Sequence, residues 1–502
     1  MLQRNTILSL RAVATSAVLV LLLASQVFSQ SRYAIASIEI RGARVIPTTE
    51  LRKMISSAVG DSFVASQLEM EIHTILRAYE RMNYPLATCE IEKIQPRDST
   101  SIDIILRIHE GVVPRVTDIS VSGNTITDSS IFTREFFLNE FPHFDYRAIE
   151  SSRNRLARLG IFSEVSQPEV KAISDSTIGL RISVSESQTT FIDGILGYNP
   201  PASGNVGGYL NGFISLGFLN IAGSARRATL DYRRETPSTQ EISATYQEPW
   251  IFNVPINASI SFHERDEDSI YTRTSFGIEP SFFLSNGVEI RASGSYDNIV
   301  PGSAHLVSSS HTYSIGLEGV YDSRDNIASP RNGFLVSIGG GIGSKSSDSI
   351  SGGAASIQSV RISALVPMSH FSERLVFVPS IEVKLVTLSH GNLDESDLFR
   401  VGGLRSLRGY YESEFHISQY AIVHAEERLI TGHSSFIGIF VDYGYLHRTQ
   451  TPMLAGQTLY PLGYGVSLQF DTQLGLLSAS IGLAKNETLD RAKLHFGIAK
   501  GF

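Results

Sequence analysis

The chain has 502 residues and a formal net charge of −8, with 42% hydrophobic and 18% charged residues. This negative balance has the wrong sign for binding the phosphate backbone of nucleic acids, so we exclude a nucleic-acid partner. Cys89 is the only cysteine, which excludes an internal disulfide and favours a packing role for the thiol. Few charges combined with 41 glycines, 26 phenylalanines and 19 tyrosines suit a β-barrel, whose charges collect in its loops and lumen.

The N-terminus has the pattern of a secretory signal peptide. Two arginines precede an apolar run at 18–24, and Val27 and Ser29 place short side chains where a signal peptidase reads them. We therefore predict that residues 1–29 are removed. A retained membrane anchor is the alternative, but the run is too short to cross about 30 Å of hydrocarbon as a helix. No later segment has the roughly eighteen consecutive apolar residues of a spanning helix, so the rest is predicted to be an exported soluble protein or a barrel.

An internal repeat follows the signal peptide. Each unit opens with a short strand that ends before a glycine, Gly42 in the first unit and Gly123, 81 residues later, in the second. Two amphipathic helices come next, and two further strands close the unit. The order strand, helix, helix, strand, strand predicts two small α/β domains, at 33–111 and 114–188.

From residue 189 onward the helical pattern is replaced by strict alternation. The final strand shows it, since alternate residues fall on opposite faces: Leu494, Phe496 and Ile498 on one, His495, Gly497 and Ala499 on the other. Alternation over about ten residues is typical of a lipid-facing strand in an outer-membrane barrel. We predict an all-β transmembrane barrel of 16 antiparallel strands over residues 189–502.

The connections between these strands are predicted to be short at one end of the barrel and long at the other. The long, polar ones are expected at 265–273, 343–355 and 391–418, and a short turn is expected at 329–333. Because an even strand count returns the C-terminus to the side of the N-terminal domains, the short turns are expected in the periplasm. The long loops are then expected outside the cell.

The longest connection, 391–418, is the strongest candidate for a functional element. It contains Arg408-Gly409-Tyr410, and its glycines permit a compact loop that folds back on itself. A solvated loop arginine is the simplest interpretation of Arg408.

Acidic residues in the strands that follow favour a different role for that arginine. Glu427 and Asp442 stand within apolar runs, and Asp442 shares its strand face with Phe440 and Gly444. Asp442 is therefore predicted to point into the lumen, where a carboxylate needs a cation. We predict that Arg408 pairs with Asp442, with Glu427 as a second partner.

Because of this loop motif and these strand acids, the chain resembles the BamA/TamA-like family of outer-membrane proteins. In that family, periplasmic POTRA domains precede a 16-stranded barrel, and the sixth extracellular loop carries an R-G-F/Y motif, matched here by Arg408, Gly409 and Tyr410. Phe440, Asp442 and Gly444 match its F-x-D-x-G pattern. Further segments similar to elements of the family lie at 220–226, 246–252, 322–334 and 426–428. The resemblance covers residues 33–502 and implies that the two α/β repeats are POTRA domains, fewer than in BamA or TamA.

The resemblance implies an outer-membrane protein assembly or insertion factor. Its POTRA domains would receive unfolded β-barrel substrates by strand addition, and its barrel would have a weakly closed seam between first and last strands. Gly194, Gly497 and the terminal Phe502 mark that seam, because glycine weakens strand packing. The implied partners are unfolded outer-membrane proteins and membrane lipids, with periplasmic chaperones or accessory lipoproteins as further partners.

Two other functions are compatible with the sequence. A two-partner-type secretion transporter would move an exported polypeptide through the lumen, although no plug segment is visible before the first repeat. A passive structural barrel is the third hypothesis, although it gives the repeats no role. An enzyme is not expected, because the 13 histidines are scattered and no HExxH, GxSxG or CxxC motif occurs. No metal or cofactor is implied.

Overall fold

A computed structural model describes residues 33–136, 143–199, 209–234, 236–284, 287–404, 406–472 and 475–499. The predicted signal peptide and Phe502 lie outside these residues. The chain divides into two compact units: one holds the residues up to Asn124 with Ser129–Leu156 and Glu164–Ser185, and the other holds Thr125–Asp128, Ala157–Ser163 and the chain from Glu186 onward. Among the helices of the described residues, none has the length and apolar character needed to cross a membrane.

The first module is a three-stranded sheet covered by two helices. Its elements are β1 (Ala34–Arg41), α1 (Thr48–Met54), α2 (Ala65–Arg81), β2 (Thr88–Pro96) and β3 (Ser101–His109). β3 is the central strand, parallel to β1 and antiparallel to β2. Its alternate residues Ile102, Ile104, Leu106 and Ile108 are buried, as are Leu68, Ile75 and Tyr79 of α2. The core is therefore the contact between the apolar stripe of α2 and one face of the sheet.

The second module repeats this order with one additional strand. Its elements are β4 (Arg115–Ser122), α3 (Ser130–Glu135), α4 (Tyr146–Arg158), β5 (Phe162–Val165), β6 (Glu169–Ser174) and β7 (Thr177–Glu186). β7 pairs in parallel with β4, and both β5 and β6 lie against it in the four-stranded sheet. The sequence predicted a single strand where the structure has β5 and β6.

Both modules turn sharply after the first strand at a left-handed glycine. Gly42 has φ +85° and Gly123 has φ +91°. A Cβ atom on Gly42 would lie 2.2 Å from the carbonyl oxygen of Ile108, and one on Gly123 would lie 2.0 Å from that of Val184. Only glycine allows the backbone to pass so close to the last strand.

In each module a glutamate closes this turn through hydrogen bonds. It lies two residues after Ile108 in the first module and two residues after Val184 in the second. Glu110 accepts hydrogen bonds from the backbone amides of Arg44 and Val45 at 2.6 and 2.7 Å. Glu186 likewise accepts from the amide of Thr127 at 2.7 Å and from that of Thr125 at 3.0 Å. The two modules thus share the order of their elements and also a glycine turn that a glutamate holds through backbone hydrogen bonds.

The remaining strands form a ring. Its first half contains β8 (Thr190–Asn199), β9 (Tyr209–Ile221), β10 (Arg226–Arg234), β11 (Thr239–Glu248), β12 (Ile256–Glu267), β13 (Tyr271–Phe283), β14 (Val288–Pro301), β15 (Ser310–Asp322), β16 (Leu335–Ser347), β17 (Ala354–Leu365), β18 (Met368–His370) and β19 (Ser372–Leu388). A separate hairpin of β20 (Phe399–Val401) and β21 (Phe415–Ile417) follows. The ring continues through β22 (Gln419–Ile430), β23 (Phe436–Arg448), β24 (Gln457–Leu459), β25 (Leu462–Thr472), β26 (Gly475–Ala484) and β27 (Lys493–Ala499), which neighbours β8.

Two of the eighteen segments in the ring are continuations of neighbouring strands. β18 extends β17 beyond Pro367, and β24 extends β25 across Pro461; in each case both pieces pair with the same partner strand. Proline interrupts a strand because it has no N–H to donate to the ladder. Counted as continuous strands, the ring therefore has the predicted sixteen, and the predicted fold class is confirmed.

The two faces of the barrel differ as the alternation predicts. In β23 the outward residues Ile437, Ile439, Val441, Tyr443 and Tyr445 are exposed, whereas Phe440, Asp442 and Leu446 on the inward face are buried. Asp442 therefore points into the lumen, on the face expected from the sequence.

The predicted connections are wrong at three places. The one expected at 343–355 has only residues 348–353, because β16 continues to Ser347 and β17 begins at Ala354. The β12–β13 connection has only residues 268–270, because Arg265 and Arg273 belong to the strands and bind Glu241 and Asp297 inside the barrel. Conversely, the β15–β16 connection spans 323–334, well beyond the turn expected at 329–333. Lumenal charges have the composition of a loop, which explains the error at 265–273.

Candidate functional site

The connection between β19 and β22, residues 389–418, folds into the barrel; we call it loop six. It contains a 3₁₀ turn at Glu395–Asp397 and the β20–β21 hairpin. Val401, Leu407 and Ile417 of the loop are buried in one cluster with the strand residues Tyr420, Ile422 and Leu446. Loop six thus has an apolar core of its own, shared with the wall of the barrel, and is not a solvated surface loop.

Arg408 of loop six binds Asp442 through three hydrogen bonds. Its backbone amide and Nε donate to Asp442 Oδ2 at 3.0 and 2.8 Å, and Nη2 donates to Oδ1 at 2.7 Å. The Asp442 side chain is 0% exposed. A forked guanidinium–carboxylate contact of this kind is geometrically specific as well as strong.

The second acidic partner of Arg408 is Glu426. Arg408 Nη1 lies 2.6 Å from Glu426 Oε1, while Arg428 binds the other oxygen of Glu426 from the same strand at 2.5 Å. The prediction of Glu427 as this partner is wrong. Successive residues of a strand face opposite sides, so Glu427 takes the face opposite to Glu426, where it lies 3.3 Å from His370.

The other residues of the F-x-D-x-G pattern, and one histidine, lie around the Arg408–Asp442 pair. The guanidinium stacks over the Phe440 ring at 3.7 Å, and His424 Nδ1 lies 2.9 Å from Asp442 Oδ1. Gly444 donates its amide to Pro461 at 2.9 Å, where β24 and β25 are interrupted. The two arginines, Arg408 and Arg428, therefore balance the charges of the two carboxylates in a buried network. The aromatic ring of Phe440 covers one side of this network.

The turn after Arg408 lies against bare backbone. A Cβ atom on Gly463 of β25 would come within 1.8 Å of the Arg408 carbonyl oxygen, and one on Gly482 of β26 within 2.6 Å of the Gly409 amide nitrogen. Gly409 itself has φ +92°, a conformation that favours glycine. Tyr410 donates to the carbonyl of Leu462 at 3.3 Å. The R-G-Y turn is thus seated where the wall has no side chains.

A second anchor, which the sequence did not reveal, holds the start of loop six. Lys345 at the end of β16 is 1% exposed, and its Nζ lies 3.2 Å from Asp394 and 2.5 Å from Asp397. Burial raises the pKa of Asp394, and although Lys345 opposes that effect, Asp397 adds to it. Arg273 of β13 donates to the Ser396 carbonyl at 3.2 Å in the same turn. Loop six is therefore fixed to two different parts of the wall.

The predicted seam residues lie in the two strands that complete the ring. Gly194 is in β8, which pairs with β9, and Gly497 is in β27, whose described residues 493–499 pair with β26. A Cβ atom on Gly497 would lie 2.8 Å from Leu404 Cδ2 of loop six. The last strand is therefore in close contact with loop six.

Two small sheet modules followed by a ring of sixteen strands, with a loop arginine held on the lumen wall, define a class of outer-membrane barrel that carries tandem periplasmic domains. The family described as the Omp85 superfamily domain matches residues 220–502, and that described as POTRA, surface antigen variable number repeat, matches 33–111 and 114–187. The chain belongs to the Omp85 superfamily. It is an outer-membrane protein whose POTRA domains lie in the periplasm, which confirms the predicted family and location.

The sequence is 24% identical over 351 residues to the outer membrane protein assembly factor BamA of Neorickettsia risticii (strain Illinois), covering 64% of this chain and 46% of that protein. The chain thus spans less than half of this curated relative. The fold is similar to the crystal structure of BamA from Haemophilus ducreyi lacking POTRA domains 1–3, with a TM-score of 0.58, 15% identity and coverage of 92% and 98%. CdiB from Escherichia coli gives a TM-score of 0.54, 14% identity and coverage of 94% and 91%. At these identities the two structures show the fold alone.

Proposed function

We propose that this protein is an outer-membrane assembly factor that helps unfolded β-barrel proteins insert into the membrane. The observation that carries the proposal is that loop six fills part of the lumen, is fixed there by buried ion pairs and touches the last strand. A lumen occupied in this way is a poor route for a polypeptide, whereas the edge between β27 and β8 faces the membrane directly. The relative named as an assembly factor supports the same conclusion.

The POTRA domains would supply the first binding site. β2 ends the sheet order β1-β3-β2, so among the described strands one edge of β2 has no neighbour. Such an edge pairs with an incoming extended segment through main-chain hydrogen bonds, with little demand on its sequence. The proposed partners are unfolded outer-membrane proteins delivered directly or by periplasmic chaperones, together with accessory lipoproteins. No catalytic step and no cofactor takes part.

The seam would supply the second site. Gly497 weakens the pairing that closes the ring, whereas β8 is well held on its other side, where a Cβ on Gly217 of β9 would lie 2.1 Å from the Phe191 ring. Opening would therefore begin at β27. A substrate strand that paired with the exposed edge would enter the lipid sideways. We further propose that residues 1–29 are removed and that the domains span 33–111, 114–188 and 189–502.

A disulfide across the seam tests this proposal. In a Cys89→Ser background, Ile192→Cys on β8 is combined in turn with Leu494→Cys and Phe496→Cys on β27. Insertion of an unfolded barrel protein into liposomes containing the oxidised protein should be lost and should return on reduction. The matched control is Ile315→Cys with Ile342→Cys, which are paired directly across β15 and β16. That crosslink should leave insertion unchanged. Full insertion with the seam locked would reject the proposal and favour transport through the lumen.

A further inference from the structure

The connection between β15 and β16, residues 323–334, is longer than the ring requires; we call it the strap. Two-residue turns are the commonest link between antiparallel neighbours. Because the strands alternate in direction from β8 onward, the strap lies at the end of the barrel where β8 begins. Only residues 187–189 separate β8 from the last strand of the second POTRA domain, so this end is the periplasmic mouth. Substrate insertion at the seam gives the strap no role.

The strap is held in one conformation by its own side chains. Asp325 accepts a hydrogen bond from the amide of Arg331 at 2.9 Å, and Asn326 accepts one from the amide of Ser329 at 2.8 Å. Near its end Gly333 has φ +81°, a conformation that favours glycine. Polar side chains that bond to nearby amides fix a turn without secondary structure. The strap is therefore a defined structural element and not a slack linker.

The strap crosses the inner side of the mouth to a distant part of the wall. Arg331 Nη2 donates to the carbonyl of Gly432, between β22 and β23, at 3.1 Å. Gln469 of β25 donates to the Ala328 carbonyl at 3.1 Å. Gln469 is on the inward face, because its neighbour Phe470 is exposed on the outer one. Four continuous strands separate β16 from β25 in the ring, so the strap spans a chord of the mouth.

Inward-facing apolar side chains are buried where the strap crosses. They form one cluster on β19, β22 and β23: Val376, Val378, Ile430 and Phe436. Side chains facing a water-filled lumen would be wetted, yet these are at most 4% exposed. Val376 pairs directly with Ser369 of β18, whose hydroxyl donates to the Arg331 carbonyl of the strap at 3.2 Å. The strap therefore lies beside the cluster, and the lumen is filled at this place.

We propose that the strap is a seal, which keeps solutes and unfolded chains from entering the lumen at this side of the periplasmic mouth. Loop six occupies the lumen from the extracellular side. The two elements bear on the same wall, because Arg428 pairs with Glu426 beneath loop six and stacks over Phe436 of the cluster at 4.2 Å. The strap and loop six are thus two closures in series. This barrier role does not depend on substrate insertion at the seam.

Cysteine reactivity tests whether the strap covers the cluster. Val376→Cys in a Cys89→Ser background is placed in lipid nanodiscs, which leave both mouths accessible, and is treated with a water-soluble maleimide. Replacing residues 324–333 by Asn-Gly removes the strap; the Ser323 amide already donates to the Phe334 carbonyl at 2.9 Å, so the ladder stays closed. The replacement should speed the reaction at least about tenfold, because a covered thiol reacts only through local opening.

A matched control and a milder variant accompany this test. Ser293→Cys, at an exposed inward position on β14, should react equally fast with and without the strap. Arg331→Ala with Gln469→Ala removes two contacts of the strap at unchanged length and should also speed the reaction of Val376→Cys. If the replacement is not a heat-modifiable barrel, this double variant decides.

Sugar efflux from liposomes measures the barrier itself. In Arg408→Ala, where loop six is loosened, removal of the strap should raise efflux by about tenfold, because two closures in series do not act additively. With loop six seated, removal of the strap should change efflux little. The proposal is overturned if Val376→Cys reacts equally slowly with and without the strap, or if its removal leaves the efflux of Arg408→Ala unchanged.

Discussion

At the scale of single residues, the decisive feature is the charge balance around Arg408. Asp442 and Glu426 are both removed from water, and each depends on an arginine for compensation. Such a network contributes little net stability over an apolar core, but a partner left alone in it is strongly unfavourable. Its value lies in fixing one position of loop six.

This leads to a prediction for the pair itself. Arg408→Ala and Asp442→Ala should each destabilise the seated loop by about 3–5 kcal/mol, and the double variant should be little worse than either. Arg408→Lys should rescue only in part, because an ammonium cannot reproduce the forked contact. Proteolysis of loop six in the folded, heat-modifiable barrel measures the effect, together with insertion activity.

The matched control uses the adjacent acids. Glu426→Gln should loosen the loop, whereas Glu427→Gln, on the other face of β22, should behave like the wild type. If the effects of Arg408→Ala and Asp442→Ala simply add, the two side chains are not energetically coupled and this account of loop six is wrong.

A second residue-scale prediction concerns acid. Burial works against the charge of Glu186, but hydrogen bonds from Thr125 and Thr127 outweigh it and lower the pKa from the ordinary 4.5 to about 2. A depressed carboxylate pKa gives stability that is fully present above pH 4.5 and is lost as the pH falls toward 2. In Glu186→Gln this acid-dependent protection of the second POTRA domain should disappear.

Hydrogen exchange of the full-length protein measures this protection. The exchange rate of the peptide containing residues 125–128 is compared between wild type and variant at each pH. Glu110→Gln is the control, because it should deprotect the equivalent turn at Arg44 and Val45 while leaving residues 125–128 unchanged. Equal protection in wild type and Glu186→Gln between pH 5 and 3 would contradict the prediction.

At the scale of elements, the sequence was most informative where a pattern is long. The strand number and the inward face of Asp442 followed from alternation, and the order of the POTRA elements followed from repetition. The partner of Arg408 did not, because Glu426 and Glu427 are adjacent and a shift of one residue exchanges the faces of a strand. The resemblance includes the segment 426–428, but it does not indicate which of the two adjacent acids faces the lumen.

The second anchor of loop six escaped prediction for a different reason. The sequence predicts a surface loop at 343–355, which includes Lys345, whereas β16 continues to Ser347 and turns the lysine inward. Its partners Asp394 and Asp397 are far away in the chain, so the sequence around Lys345 does not indicate the contact. The pair of aspartates three residues apart was the only available signal, and it also suits an ordinary capped turn.

At the scale of the whole molecule, the prediction concerns sidedness. A cysteine at Gly352, in the exposed turn between β16 and β17, should react with a membrane-impermeant maleimide on intact cells. A cysteine at Ser99, in an exposed turn of the first POTRA domain, should react only after the outer membrane is permeabilised. Both are made in a Cys89→Ser background. The reverse pattern would show that the barrel is inserted the other way round.

The bare wall beneath the R-G-Y turn has a consequence for the order of folding. Gly463 pairs with Ala484 and Gly465 with Gly482 across β25 and β26, so the ladder there is complete without any contribution from loop six. Since no side chain projects from Gly463 or Gly482, the turn can settle on these strands after they have paired. The loop can then arrive last, and its arrival requires no strand to separate.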